Sequence, residues 1–255
     1  MLIDAHLHLQ DVRLDGVRPQ MAKLIESENI RQLVVNGTRE GDWGKVIDCA
    51  DSFSQVVPSF GLHPWWLNER SSNWLHHLEE HLTTFPAAVG EIGLDFRHGM
   101  PESDRQIRVF ENQLSLAQSL DRAVIIHAVK SHHEVIASLK RVRCERFVIH
   151  AFTGSRHIAE AYLSMGGYLS AGGLITREPQ PRVVSVFQSI PKERILLETD
   201  APDLPIAGQR CGSPAHLPQI GRNLAEVLGS SESALRQLST QNAQRLFDYD
   251  FFQSN

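Results

Sequence analysis

Histidine, aspartate and glutamate side chains stand where several short apolar segments of this sequence end. The set consists of His6, His8, Glu91, His127, His150 and Asp200. Imidazole nitrogens together with carboxylate oxygens suit zinc, manganese and similar divalent ions, and they suit calcium poorly. A single His-x-His pair is weak evidence, but ligand-type residues that close several separate apolar segments would each need a separate reason to be buried. The joint pattern therefore predicts a metal site.

The spacing of these residues indicates how they share the ions. His6 and His8 are two residues apart, so they point to the same side of an extended strand and can bind one ion. His127 and His150 end neighbouring apolar segments and can bind a second ion. Two adjacent ions need a shared ligand, for which Glu91 is the natural candidate. We expect two divalent ions per chain, which are zinc, manganese or magnesium.

The elements that must position these residues are short apolar segments rich in branched side chains. They do not alternate polar with apolar residues, a pattern typical of parallel strands that are buried on both faces. The segments are Leu2–Ala5, Gln32–Val35, Val56–Phe60, Ala88–Ile92, Ala123–Ile126, Phe147–Ile149, Tyr168–Ser170 and Ile195–Leu197.

Helix-like stretches separate the apolar segments, and two further predicted helices, Leu217–Leu228 and Ser231–Phe247, close the chain. Parallel strands need helical crossovers, and eight strand–helix units can close on themselves. We therefore predict an α/β fold, a single-domain TIM-type (β/α)8 barrel with additional C-terminal helices over residues 1–255. The alternative, an open doubly wound sheet, predicts a Gly-x-Gly-x-x-Gly turn after the first strand, and the sequence has none there.

In such a barrel the carboxyl ends of all strands meet at one rim, so other residues that follow strands are candidates for substrate contact. Cations there either collect on one face and bind phosphate or are ordinary solvated loop residues; they are Arg97, Lys130, Arg156, Arg177 and Arg210. His63 is expected to contact phosphate or support a further ion. Trp65 and Trp66 either stack on a base or cover the barrel mouth by packing.

Composition limits the class of protein. The formal net charge is −5 and no block of like charge stands out, so a large basic face for nucleic acid is not indicated, and any polyanionic substrate must be held locally. The three cysteines show no Cys-x-x-Cys pattern, which favours free thiols in a reducing compartment. The N-terminal segment lacks the features of a signal peptide, and no apolar run has the length of a membrane span. We expect a cytoplasmic protein without membrane contact, either a monomer or a weak homo-oligomer.

The sequence resembles the TatD family of metal-dependent deoxyribonucleases, in the amidohydrolase superfamily, over nearly the whole chain. The most specific segments are Gly90–Asp95 (Gly-Glu-Ile-Gly-Leu-Asp) and Glu198–Pro202 (Glu-Thr-Asp-Ala-Pro). Other matching segments are Ile3–His8, Gly61–Pro64, Ile126–His127, His150–Ser155 and Asn242–Phe247. Members of the family are described as deoxyribonucleases that often remove nucleotides from a 3′ end.

The resemblance implies a specific ligand set. One ion would be held by His6, His8, Glu91 and Asp200, and the other by Glu91, His127 and His150. Two segments depart from the family pattern on predicted substrate-facing loops. Many members continue with Ser-Arg after the histidine where this chain has Ala128-Val129-Lys130, and many carry Asn-Glu-Pro where it has Gly212-Ser213-Pro214.

The favoured function is 3′–5′ exonuclease cleavage of phosphodiester bonds by a two-metal activated water, with DNA favoured over RNA as the nucleic-acid substrate. Asp200 and Glu91 are the predicted catalytic residues, and Asp200 is expected to take the proton of that water. The predicted substrate-binding residues are His63, Arg97, Lys130 and Arg156. One alternative is hydrolysis of an amide, ester or lactone in a small molecule. A second is a non-catalytic metal-binding scaffold, against which the complete ligand set argues.

Overall fold

Eight parallel strands form the centre of the computed structural model, which describes residues 1–177 and 180–247. Each strand pairs with the next in chain order, from β1 with β2 through β7 with β8. The strands are β1 Leu2–Leu7, β2 Ile30–Asn36, β3 Val56–Phe60, β4 Ala88–Asp95, β5 Val124–Val129, β6 Phe147–Ile149, β7 Tyr168–Ala171 and β8 Ile195–Leu197. The sheet curls into a nearly closed barrel, which confirms the predicted fold class.

A helix follows each strand, and a further helix ends the described chain. The helices are α1 Met21–Ser27, α2 Glu40–Ser52, α3 Trp74–Thr84, α4 Ser103–Ser119, α5 His132–Val142, α6 Arg156–Leu163, α7 Pro181–Ser189, α8 Leu217–Val227 and α9 Glu232–Phe247. Among residues 1–177 and 180–247, no helix combines the length and apolar character that a membrane span needs. Cys49, Cys144 and Cys211 are free thiols, as predicted.

Hydrogen bonds join the first strand to the segment after the last one. The Thr199 amide donates to Asp4 Oδ1 at 2.9 Å, and the Asp200 amide donates to the carbonyl of His6 at 2.9 Å. One step further along, the His8 amide donates to the carbonyl of Ala201 at 2.7 Å. We call this contact the β1–β8 seam. It brings Asp200 beside the first two histidines although about 190 residues separate them in the sequence.

A set of inward-facing side chains fills the barrel. Its members come from the strands, from the residue before β5 and from the end of α9, whereas the larger apolar cluster includes most of the surrounding helices. Ile125 and Val148 belong to the inner set. Residues two positions further along a strand lie on the same side, so His127 and His150 also point inward, at the carboxyl ends of β5 and β6.

Two buried glutamines of α4 bond to the backbone at the end of β4 and just after β3. Gln106 accepts a hydrogen bond from the Asp95 amide at 2.8 Å and donates to the Asp95 carbonyl at 2.8 Å. Gln113 does the same for Leu62, at 2.7 Å and 3.1 Å. A carboxamide can satisfy both backbone groups at once, which offsets the desolvation cost of burying these side chains. Both glutamines thus fix the backbone next to residues of the rim.

Candidate metal centre

Two imidazoles and two carboxylates converge at the β1–β8 seam. His6 Nε2 lies 3.3 Å from His8 Nε2 and 3.2 Å from Asp200 Oδ1. Glu91 Oε2 lies 3.2 Å from His8 Nε2 and 3.5 Å from His6 Nε2. All four residues are at least nine-tenths buried. The structure therefore brings together one of the two predicted ligand groups.

The second predicted group meets on the opposite side of the same carboxylate. Glu91 Oε1 lies 2.9 Å from His127 Nδ1 and 2.9 Å from His150 Nε2. These two ring nitrogens are 3.2 Å apart. His63 joins this side, with its Nε2 atom 3.3 Å from Glu91 Oε1. Glu91 thus directs one oxygen to each group, as expected of a shared ligand.

The spacing of these atoms matches the needs of a divalent ion. Ligand atoms about 2.1 Å from a tetrahedral zinc ion are about 3.4 Å from one another, which is close to the separations in both groups. In each group two imidazole nitrogens also face each other within 3.3 Å, an arrangement that a cation between them would relieve. The donor set, nitrogen with carboxylate oxygen, is the one predicted from sequence.

Electrostatic coupling within the centre shifts the pKa values of its members. Burial raises the pKa of Glu91, but the histidines around it outweigh burial and hold that pKa well below its ordinary value. Burial lowers the pKa of His8, yet contact with Glu91 raises it overall to about 9, and His150 is raised well above its ordinary value for similar reasons. At His63 burial is the largest cause and outweighs contact with Glu91, so the pKa falls to about 4. Glu91 is therefore an anion whose charge is balanced by neighbouring imidazoles.

Asp95, at the end of β4, contacts His127 on the side of the ring away from Glu91. Its buried carboxylate accepts a hydrogen bond from Trp65 Nε1 at 2.7 Å and another from Arg97 Nε at 2.9 Å. Its Oδ2 atom also lies 3.2 Å from His127 Nε2. A carboxylate on the far nitrogen of an imidazole fixes the tautomer that leaves the near nitrogen free as a ligand. Asp95 ends the Gly-Glu-Ile-Gly-Leu-Asp segment that resembles the family, but its spacing in the sequence did not indicate this role.

We expect Asp95→Asn to weaken metal binding about 10- to 100-fold at the His127 side, because His127 loses its orienting anion. Isothermal titration of chelator-treated protein with zinc or manganese measures this affinity. Asp48→Asn, an equal charge change at an exposed position of α2, serves as the control. Equal affinities for wild type and the Asp95 variant would show that Asp95 does not orient the ligand.

Buried polar residues also surround Asp200 and His150. Asp4 accepts from the Thr199 amide and from its hydroxyl at 2.6 Å, and burial raises the pKa of Asp4 to about 7 despite these bonds. Glu198 accepts from the Ala151 amide at 2.6 Å and lies 3.8 Å from His150 Nδ1. These contacts position the loops that carry the two candidate ligands.

A cavity of about 490 Å³ opens above the two groups. Of the predicted substrate-binding residues, His63 and Arg97 line this cavity. Lys130 and Arg156 lie outside the described lining, and Arg156 pairs with Glu160 on its own helix at 2.8 Å. Of the other predicted rim cations, Arg177 donates to the carbonyl of Pro205 and Arg210 is exposed, and neither is part of that lining.

Three cations that were not predicted from the sequence also line the cavity: Arg13, Arg39 and Lys45. They follow β1 and β2, and a search of the residues after those strands would have found the first two.

Of the two departures from the family pattern, Ala128 and Val129 line the cavity. Gly212 does not belong to the described lining, and its amide donates to the carbonyl of Pro202 at 2.8 Å. The first departure thus lines the cavity, and the placement of the second on a substrate-facing loop stays a prediction.

Comparison with known proteins identifies relatives over nearly the whole chain. The sequence profile described as "TatD related DNase" matches residues 3–248. The chain is 29% identical to an uncharacterized metal-dependent hydrolase, YabD, of Bacillus subtilis, with 97% of this chain and 99% of that protein covered. It is 30% identical to a protein of Edwardsiella piscicida named 3′-5′ ssDNA/RNA exonuclease TatD, with 96% and 99% covered.

A solved structure shows the same fold. The crystal structure of YjjV, a TatD homolog from Escherichia coli K12, superposes with a TM-score of 0.91 at 30% identity and covers 97% of this chain and 98% of that one. The profile match extends over almost the entire sequence and includes the barrel strands except for the first residue of β1. This chain therefore belongs to the TatD family of metal-dependent hydrolases.

Proposed function

We propose that this protein is a 3′–5′ exonuclease that hydrolyses phosphodiester bonds of single-stranded nucleic acid, with DNA favoured over RNA. The observation that carries the proposal is the division of Glu91 between two ligand groups, with Oε2 toward His6 and His8 and Oε1 toward His127 and His150. A carboxylate shared in this way fits a pair of divalent ions. A family relative that is named for 3′–5′ exonuclease activity supports the substrate and polarity.

The ligand assignment follows the two groups. His6, His8, Glu91 and Asp200 would hold one ion, and Glu91, His127 and His150 would hold the other. Zinc, manganese and magnesium are the candidate ions. Such a pair, when bound, supplies an activated water and neutralises charge on the attacked phosphate.

The side chains of this protein would perform the remaining steps. Asp200 lies at the floor of the cavity, where its carboxylate can accept the proton of the attacking water and return it to the leaving oxygen. His63 and Arg97 line the same cavity and would contact the phosphate. Glu91 and Asp200 are buried, so bulk water would screen their interactions with a bound ion only weakly.

The decisive experiment incubates metal-loaded protein with 3′-labelled single-stranded DNA, in parallel with manganese, magnesium and zinc. We expect wild type to release labelled mononucleotides and His127→Ala to lose most of this activity. His76→Ala, an exposed histidine on α3, is the matched control. Failure of wild type with all three ions would refute the nuclease proposal. A metal content below one ion per chain after purification without chelators would refute the two-ion centre.

A further inference from the structure

One wall of the cavity combines aromatic rings with cations. We call it the aromatic–cation wall, and its residues are Arg39, Lys45, Trp65, Trp66 and Arg97. The Arg97 guanidinium lies 5.2 Å from the ring centre of Trp65, and that of Arg39 lies 4.0 Å from the ring centre of Trp66. Single-stranded nucleic acid is bound by this combination elsewhere, because bases stack on aromatic rings while cations follow the phosphates.

Trp65 is exposed although it lies directly beside the metal centre. Its side chain is 45% exposed, and its ring centre is 4.7 Å from that of His63 and 6.0 Å from that of His127. The hydrogen bond from Trp65 Nε1 to Asp95 fixes the orientation of the indole. A large apolar ring held in a set orientation in a cavity is a preformed surface for a flat ligand.

Two groups of charged residues in the cavity differ in their balance of charge. On the aromatic–cation wall, Arg97 contacts the buried carboxylate of Asp95 and Arg39 pairs with Glu69 at 3.1 Å, while Lys45 adds a further cation at an exposed position of α2. After β1, Arg13 is flanked by two carboxylates, those of Asp11 and Asp203, at 2.8 Å each. The group around Arg13 therefore carries net negative charge. A polyanionic strand would be repelled by that group and would favour the wall, where Lys45 lies.

We infer that Trp65 stacks on the base of the nucleotide next to the scissile phosphate, on the side of the strand that remains after cleavage. Arg39 and Lys45 then contact the following phosphates, so that the strand leaves the cavity over α2. This inference rests on the proposed nuclease function and adds to it a residue that selects an unpaired base. A base in a duplex is covered on both faces by its neighbours and cannot stack on the indole.

The first test compares oligonucleotides that lack one base. For an ordinary oligonucleotide, Trp65→Ala is expected to raise KM about tenfold with a smaller change in kcat. The effect should vanish when the penultimate base at the 3′ end is replaced by an abasic analogue, and persist when only the terminal base is replaced. Trp65→Phe, which keeps a ring, should restore most of the affinity. An equal effect of Trp65→Ala on all three substrates would overturn the inference.

The second test measures the path of the strand. Lys45→Ala is expected to weaken binding of a ten-nucleotide strand severalfold and to reduce the dependence of affinity on salt, while binding of a dinucleotide stays unchanged. Lys140→Ala, at the far end of α5 from the rim, is the matched control. The same loss for Lys140→Ala, or an equal loss for the dinucleotide, would contradict the path over α2.

A third measurement does not depend on catalysis. Addition of the ten-nucleotide strand should quench tryptophan fluorescence of the wild-type protein, and most of this quenching should be absent in Trp65→Phe. Quenching without cleavage would refute the nuclease function and leave the stacking surface standing. Cleavage together with equal quenching in wild type and Trp65→Phe would support the nuclease function and refute the stacking of a base on Trp65.

Discussion

Glu91→Gln is expected to abolish hydrolysis, with a loss of about a thousandfold or more, and to lower the metal content of the purified protein. A glutamine presents one carbonyl oxygen and one amide NH2 group, so it can serve one ligand group and must turn a donor toward the other. Paired metal ions provide several kcal/mol of stabilisation to a transition state, and every 1.36 kcal/mol is a factor of ten in rate. Kinetics and elemental analysis on the same sample measure both effects.

The control for this variant is Glu79→Gln, on the exposed side of α3, which makes the same chemical change away from the cavity. The Glu91 variant also removes an anion that lies among several histidines, so we expect its metal-free form to unfold at a lower temperature than wild type. Because a folding defect alone could lower activity, circular dichroism must show a folded variant at the assay temperature. Full activity with two bound ions would contradict the bridging role.

Asp200→Asn should lower kcat by about 10²- to 10⁴-fold, the range ascribed to general acid–base catalysis. An asparagine keeps the shape and one oxygen of the side chain but cannot take up the proton of a water molecule. We therefore expect kcat to fall more than metal content does. Steady-state kinetics with saturating manganese, together with elemental analysis, separate the two contributions.

The stability of metal-free Asp200→Asn shows whether a loss of kcat comes from a folding defect. Burial raises the pKa of Asp200 to about 6, so the folded state disfavours the ionised carboxylate, and stability is lost as pH rises through this range. Asparagine removes that charge. The unfolding temperature of the chelator-treated variant at pH 7.5 should therefore be no lower than that of chelator-treated wild type. Asp51→Asn, an exposed position of α2, is the control. Unchanged kcat would show that Asp200 does not move a proton.

The sequence was sufficient for the barrel and for the convergence of the ligand residues. Both depend on backbone periodicity, because eight apolar segments with helices between them impose one rim, and the residues that end the segments must meet there. Segment bounds were less accurate, since β4 extends to Asp95 and β5 to Val129, beyond the apolar cores that marked them. Polar residues within a buried strand do not reveal where that strand ends.

The lining of the cavity was harder to predict because it depends on the directions of side chains in loops and on neighbouring elements. Lys130 and Arg156 follow strands, as Arg97 does, yet only Arg97 lines the cavity, where the buried Asp95 holds it. Lys45 lies well inside α2, so its distance from the strand end gave no signal. The support given by Gln106 is likewise a contact between a helix and a distant backbone.

The β1–β8 seam has a consequence for how the protein acquires its ions during synthesis. His6 and His8 leave the ribosome first, and Asp200 follows only after some 190 further residues. A nascent chain short of β8 can offer partial sites, but the group at the seam needs both ends of the barrel together. Ion binding there adds its free energy to the folded state alone. An ion at the β1–β8 seam would thus stabilise only a chain whose first and last strands have already come together.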